Sequence, residues 1–336
     1  MARARPRSDG DNVSRVNRPL LLAIAAMGVI SCQRCGAGSE GAPASSSVPS
    51  ASAPTAAVTP SASASASAPA GPELPEVRDE GQGRATAALR AALTAHGITF
   101  DPETIARECK VDEDGASVDD LEDVAGKYGL DARQIIVPRE HVLLPEAKLL
   151  PAIVILGREE DEPELLEFVL VWKIEGDRAL IMDPAAGRRW VARVDLAKRI
   201  DRHEMIIPAE DWHAAETDPR YGDALRARLG ALGVPEDRAR ALVDRATADR
   251  GSRGLSALDA TLRKLEIEPE KAGGDAAGFL GRSLDCALDK RCAGFEPITS
   301  ELYSSEPARK GADGLPAMRV RGAVVLTIAG KKQDGP

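Results

Sequence analysis

Thiols, imidazoles and carboxylates held in turns are the groups in this chain able to carry acyl transfer. The thiols are Cys32, Cys35, Cys109, Cys286 and Cys292, and the imidazoles are His96, His141, His203 and His213. The best-placed carboxylate is Asp183, which opens the turn signal Asp183-Pro184-Ala185-Ala186-Gly187. That turn lies in the stretch LLEFVLVWKIEGDRALIMDPAAGRRWV, from Leu165 to Val191. A cysteine nucleophile needs an imidazole base within reach and an acid to orient the base. This stretch supplies an acid and no His.

The remaining thiols and imidazoles have plainer readings. Cys109 follows Ile105 by one helical turn, so both fall on one face and Cys109 reads as core packing. Cys286 and Cys292 lie close together at a helix end and are candidates for a local disulfide. His96 ends a helix, where a cation suits the helix dipole. No Cys-x-x-Cys pair lies in a folded stretch and the His are scattered, so the spacing supports neither a metal centre nor another cofactor.

The elements that must position these groups follow from periodicity. Ala85 to His96 reads as an Ala- and Leu-rich helix closed by Gly97. Asp101-Pro102 has the N-cap and first-turn residues of a second helix, and Ser117 with Asp120 those of a third, whose buried stripe is Leu121, Val124, Ala125 and Tyr128. Strands are expected at Gln134–Val137, Ala152–Leu156, Glu167–Lys173, Ala179–Met182, Trp190–Val194 and Met205–Pro208. Glu167–Lys173 and Ala179–Met182 form a hairpin about Glu175-Gly176-Asp177. Helices followed by antiparallel strands make an α+β domain. Beyond Trp212 the pattern turns helical, at Tyr221–Leu229, Pro235–Asp249, Leu255–Leu265 and Ala276–Lys290, with Pro235 at the first helical position. The Arg, Asp and Glu of these helices read as solvated surface. Met318–Ile328 is an apolar strand that needs a sheet to join, within the fold or on a partner.

Composition bounds the function classes. The formal charge of −9 gives no electrostatic case for nucleic acid, and no Walker-type Gly-rich loop supports nucleotide binding. Aromatic residues make up 3%, which favours cores of Leu, Val, Ile and Ala. Arg3, Arg5, Arg7, Arg15 and Arg18 precede the short apolar run Leu20 to Ser31, which has the shape of a secretory signal. The run ends Val29-Ile30-Ser31-Cys32, similar to a bacterial lipobox, which makes Cys32 the expected lipidation site and membrane attachment. An ordinary signal peptide and an uncleaved anchor are the alternatives. Without residues 1–31 the charge becomes −12, from the loss of five Arg and two Asp. Gly36 to Leu74 is almost entirely Ser, Ala, Pro, Gly, Thr and Val and reads, with Cys35 just before it, as a disordered tether. The expected organisation is a signal peptide at 1–31, a lipid-anchored tether at 32–82, an α+β domain at 83–211 and a helical region with a terminal strand at 212–336.

Within that organisation, residues 83–208 resemble the bacteriocin-processing cysteine peptidases, the papain-like family-39 domains that cut after a double-glycine leader. The resemblance rests on LRAALTAHG (Leu89 to Gly97), RECKVDEDGAS (Arg107 to Ser117) and Leu150-Pro151-Ala152-Ile153. It also rests on Phe168–Leu170, Glu175–Asp177 and Asp183–Gly187. It implies a papain-like fold and places the family nucleophile at Arg84, or at Gln82 under a small shift. The family base falls on Glu167 and the orienting acid on Asp183, the one position of these that matches. A carboxylate without thiol or imidazole cannot run acyl transfer by that route. If the family geometry persists, Arg84 can pair with Glu167 or Asp183 and fill the emptied site; the alternative is a solvent-facing Arg at a helix start. The region 212–290 with the terminal strand resembles, more weakly, a segment that follows such domains in large bacterial exporters.

The expected function is an envelope lipoprotein, facing the periplasm or the outer membrane. Its degenerate peptidase domain would bind a peptide or an export partner. The alternatives are an active cysteine peptidase on double-glycine leaders and a structural surface lipoprotein.

Overall fold

Ala152–Leu156 (Ala-Ile-Val-Ile-Leu) is buried at every residue, the signature of a strand with neighbours on both edges and packed layers on both faces. In the computed structural model it lies inside one antiparallel sheet. Residues 73–79, 81, 83–109, 116–157, 167–249, 252–293, 295–296, 298–309 and 314–333 are described. The calls on Cys32, Cys35 and Gln82 lie outside them.

Three helices come first: α1 (Arg84–Ala95), α2 (Pro102–Glu108) and α3 (Val118–Lys127). Their starts are as the sequence implied. Asp101 accepts a hydrogen bond from the Thr104 amide, and the Ser117 hydroxyl accepts one from the Asp120 amide, each closing a helix N-terminus. The strands β1 (Leu130–Val137), β2 (Ala152–Leu156), β3 (Glu167–Glu175), β4 (Arg178–Asp183) and β5 (Gly187–Ala192) follow. The short helix α4 (Arg193–Arg199) and β6 (His203–Pro208) come next. The strand expected at Trp190–Val194 therefore stops two residues early, because the chain turns into α4. The helices α5 (Ala209–Glu216), α6 (Pro219–Ala231), α7 (Glu236–Thr247), α8 (Arg253–Ile267) and α9 (Ala276–Asp289) precede β7 (Ser305–Ala308) and β8 (Ala317–Lys331). Pro235 is the N-cap of α7 rather than its first helical residue.

The strand order is β1-β8-β2-β3-β4-β5. The last strand of the chain is thus an inner strand of the sheet. The C-terminal half of β8 lies between β1 and β2, with Ile135 opposite Val325 and Ile153 opposite Leu326. Its N-terminal half lies between β6 and β7, with Met205 and Ser305 both opposite Val320. The apolar terminal strand finds its sheet inside the fold, which is built from both sides of residue 211. Gly322 sits where β8 changes neighbours, and a Cβ there would meet the Val137 carbonyl oxygen at 2.2 Å, so only Gly fits.

Alternation along the strands divides the core between two faces. Ile153, Ile155, Phe168, Leu170, Met182 and Leu326 face a layer containing Leu89, Ala92 and Leu93 of α1 and Leu121 of α3. Ala152, Val154, Val169, Val171, Ile181 and Val325 face Leu196 of α4 with Val142 and Leu143. The Ala content of α1 removes bulk where that helix meets the sheet.

The helices after residue 212 are joined to the rest by buried charge, which corrects the reading of their charged residues as solvated surface. Arg228 of α6, Asp259 and Arg263 of α8 are buried. Arg228 donates to Asp259 Oδ1 at 2.6 Å and to both oxygens of Glu266 at 2.8 Å. Arg263 donates to both oxygens of Glu140 at 3.1 and 2.9 Å and to Asp259 Oδ2 at 3.0 Å. Glu140 belongs to Arg139–His141, the first of two 3-10 turns between β1 and β2, so this network clasps α6 and α8 to the segment that joins two strands of the sheet. A helical Arg is buried when a carboxylate from elsewhere meets it, a partnership that helical periodicity does not register.

Candidate functional site

Arg84 is the first residue of α1, and its position is set by the chain just before it. Asp79 Oδ1 accepts hydrogen bonds from the Gly81 and Gly83 amides at 2.9 and 3.0 Å, and Gly83, the N-cap, has φ 94°. The Asp79 amide in turn donates to the Pro184 carbonyl at 2.9 Å, tying the start of α1 to the Asp183 turn. Residues 73–79, placed in the tether by composition, belong to the packed structure: Leu74 is 1% exposed, and Arg188 donates to its carbonyl at 2.9 Å. One buried Leu side chain anchors a segment whose composition otherwise reads as linker.

Glu167 is the first residue of β3 and meets Arg84. Arg84 Nη1 donates to Glu167 Oε1 at 2.8 Å, and Arg199 Nη2, from the end of α4, donates to Oε2 at 2.6 Å. The side chains are 26%, 24% and 29% exposed, so water reaches the cluster and each contact contributes about 1 kcal/mol or less. The position where the resemblance puts a thiol therefore carries a guanidinium, and the position of the base carries that guanidinium's carboxylate partner. The cluster can hold charged groups in place. It contains neither the thiol nor the imidazole that acyl transfer by a cysteine route uses.

Asp183 ends β4 and is occupied by its own turn. Its Oδ1 accepts from the Ala185 and Ala186 amides at 2.8 and 3.2 Å, and Oδ2 accepts from Arg189 at 2.6 Å. These bonds make an Asx-type turn. Among the described residues, no hydrogen bond or ion pair joins Asp183 to Arg84 or Glu167. Of the two partners expected for Arg84, Glu167 is the one it takes.

The other candidates are accounted for by burial. Cys109 caps α2, is fully buried and faces Thr86 of α1; burial pushes its thiol up to about 11 against the smaller lowering effect of Thr86. A buried thiol held protonated is a poor nucleophile. His141 is buried, with Nε2 at 3.2 Å from Arg228 Nη1, an arrangement in which the ring accepts and stays neutral. Burial first, and the Arg228 charge second, push it down to about 3. His96 packs against Trp172 with ring centroids 5.8 Å apart, and burial followed by Lys331 lowers its pKa. The cationic cap expected at His96 is thus disfavoured: its helix end is closed by backbone bonds from the cap residue's own N–H. Cys286 and Cys292 are joined as a disulfide at the end of α9. Among the described residues, no group of three or more His, Cys, Asp or Glu side chains is arranged to hold a metal ion.

Residues 78–209 match the Peptidase C39 family. The match spans the segment from the approach to α1 through β6, less than half of the chain, and includes Arg84, Glu167 and Asp183. Among curated proteins, none matches the chain. Two solved structures are similar to part of the chain at low identity. One is a double glycine motif protease from an AMS/PCAT transporter, crystallised with the leader peptide. It is 21% identical, with 38% of this chain and 86% of that chain covered and a TM-score of 0.33. The other is the peptidase domain of Streptococcus ComA, a bifunctional ABC transporter of a quorum-sensing pathway. It is 16% identical, with coverage of 38% and 93% and a TM-score of 0.34. The C39 resemblance of this segment rests on the family match. The segment carries Arg, Glu and Asp at the three positions where the resemblance places nucleophile, base and orienting acid.

Sequence reasoning missed Arg199. Its signal, the short Arg-Val-Asp-Leu-Ala-Lys-Arg run of α4, was weak because seven residues show barely two turns of periodicity. Its partner also lies 32 residues upstream.

Proposed function

We propose that this chain is a lipid-anchored envelope protein whose C39-like segment is non-catalytic and holds a peptide or a component of an export system. The observation that carries the reading is the Arg84–Glu167 ion pair, formed by the two residues at which the resemblance puts nucleophile and base. An ion pair there replaces a reacting pair with a fixed, partly solvated one. The fold and the approach to the site are kept, and the groups that would turn over a peptide are not. The thiol of this segment, Cys109, is buried and held protonated, which argues against a displaced nucleophile. The lipid anchor rests on the lipobox-like Ser31-Cys32 sequence, and the peptide ligand on the C39 match.

The test uses the full chain with synthetic peptides bearing a double-glycine motif. Fluorescence anisotropy is expected to show binding, and mass spectrometry to show intact peptide after prolonged incubation. Glu167→Ala, which removes the carboxylate that holds Arg84 in place, should weaken the binding. In cells, Cys32→Ser should move the protein from the membrane to the soluble fraction. Cleavage that disappears in Cys109→Ser would overturn the non-catalytic reading. Fractionation unchanged by Cys32→Ser would overturn the anchor.

A further inference from the structure

Glu167 gives one oxygen to each of two guanidiniums, Arg84 through Nη1 and Arg199 through Nη2. A guanidinium carries more N–H donors than one carboxylate oxygen can accept. Among the described residues Arg84 donates only to Glu167, so its Nε and Nη2 edges meet no protein acceptor there, and its side chain is 26% exposed. Glu167 therefore orients Arg84 without saturating it. Arg with a planar donor edge pre-set by a second bond is the side chain best suited to take a carboxylate through two parallel hydrogen bonds.

The place of this guanidinium narrows the ligand. It lies in the C39-like segment at the start of α1, beside the first residue of β3, where the resemblance puts the scissile bond of a peptide. A peptide that runs past this point presents an amide, which the guanidinium binds weakly. A peptide that ends here presents a terminal carboxylate. We propose that Arg84, held by Glu167, receives the free C-terminal carboxylate of a peptide, so that the site selects already cleaved chains over uncut ones. This rests on the reading of the segment as a non-catalytic peptide binder and names the ligand of that same site.

The test compares three versions of one peptide against the full-length protein by anisotropy: a free acid ending in Gly-Gly, its C-terminal amide, and an extension continuing past Gly-Gly. The free acid should bind about tenfold or more tightly than either of the others, the factor expected for a charge-assisted bond set against a neutral one. Arg84→Gln should erase that preference, bringing the affinity of the free acid down to that of the amide. Arg84→Lys, which keeps the charge without the fork, should keep part of it. The fold is secured separately by matching thermal transitions of the variants, since Glu167 retains Arg199. Equal binding of acid and amide by the wild type, or a preference that survives Arg84→Gln, overturns the carboxylate assignment and leaves peptide binding standing. If none of the three peptides binds, the peptide-binding reading fails and this inference with it.

Discussion

The buried charge cluster makes a quantitative prediction. It holds two cations, Arg228 and Arg263, and three carboxylates, Asp259, Glu140 and Glu266, with His141 neutral beside them. Asp259 is fully buried. Burial alone would raise its pKa, but Arg263 and Arg228 outweigh burial and hold it ionised. Because carboxylates are in excess, losing a cation should cost more than losing Asp259's charge. Arg228→Met leaves Asp259 to share Arg263, which Glu140 already holds by two bonds, so a buried carboxylate is left short of countercharge. That should cost about 3–5 kcal/mol. Asp259→Asn leaves each Arg with its own two-bond carboxylate, Glu266 for Arg228 and Glu140 for Arg263, and should cost about 1–3 kcal/mol. The assay is urea unfolding of the full chain with the disulfide oxidised, read as midpoint shifts at unchanged slope. The reasoning fails if Asp259→Asn is as destabilising as Arg228→Met, or if both cost under about 1 kcal/mol.

Stability should also fall on mild acidification. His141 titrates at about 3 in the fold against 6.5 when free, so between those values the unfolded chain binds a proton that the folded chain refuses, and stability is lost as pH drops from 6.5. The slope should approach about 1.4 kcal/mol per pH unit from this group, with His96 adding in the same sense. His141→Gln, which can still accept from Arg228, should remove most of the loss between pH 6.5 and 4.5; an unchanged slope in that variant excludes His141 as its source. Below 4.5, the depressed Glu140, at about 2, continues the loss as its carboxylate protonates. A fragment of residues 83–211 should not fold alone, because β1 and β2 both pair with β8. Cooperative thermal unfolding of that fragment, followed by circular dichroism, would contradict this.

Much of the secondary structure is legible locally. Asp101-Pro102 and Ser117-x-x-Asp120 are helix starts because a side-chain oxygen three residues from an orphan amide is a short-range fact. Glu175-Gly176-Asp177 marks a hairpin because Gly176 takes φ 59°. Asp183 was legible as a turn residue, though not as one spent on its own turn amides. Arg84 and Glu167 were legible as positions through the family resemblance, while opposite charge left Glu167, Asp183 and solvent all open to Arg84, and the fold selects Glu167. The seven-residue α4, the packing of residues 73–79 and the burial of Arg228, Asp259 and Arg263 were not. Each depends on partners far away in the chain: Leu74's carbonyl on Arg188, and Arg263 on Glu140, 123 residues upstream.

By itself, then, the sequence determined the α+β class, the hairpin and the helix caps, because periodicity, capping and residue identity act over a few residues. The tertiary structure decided where β8 lies, which charged residues are buried and which two guanidiniums meet Glu167. An apolar strand must pair with something, but its neighbours are chosen by the packing of the whole sheet. A charged side chain is affordable inside only when a distant segment delivers its counter-ion, and only the folded chain shows that delivery.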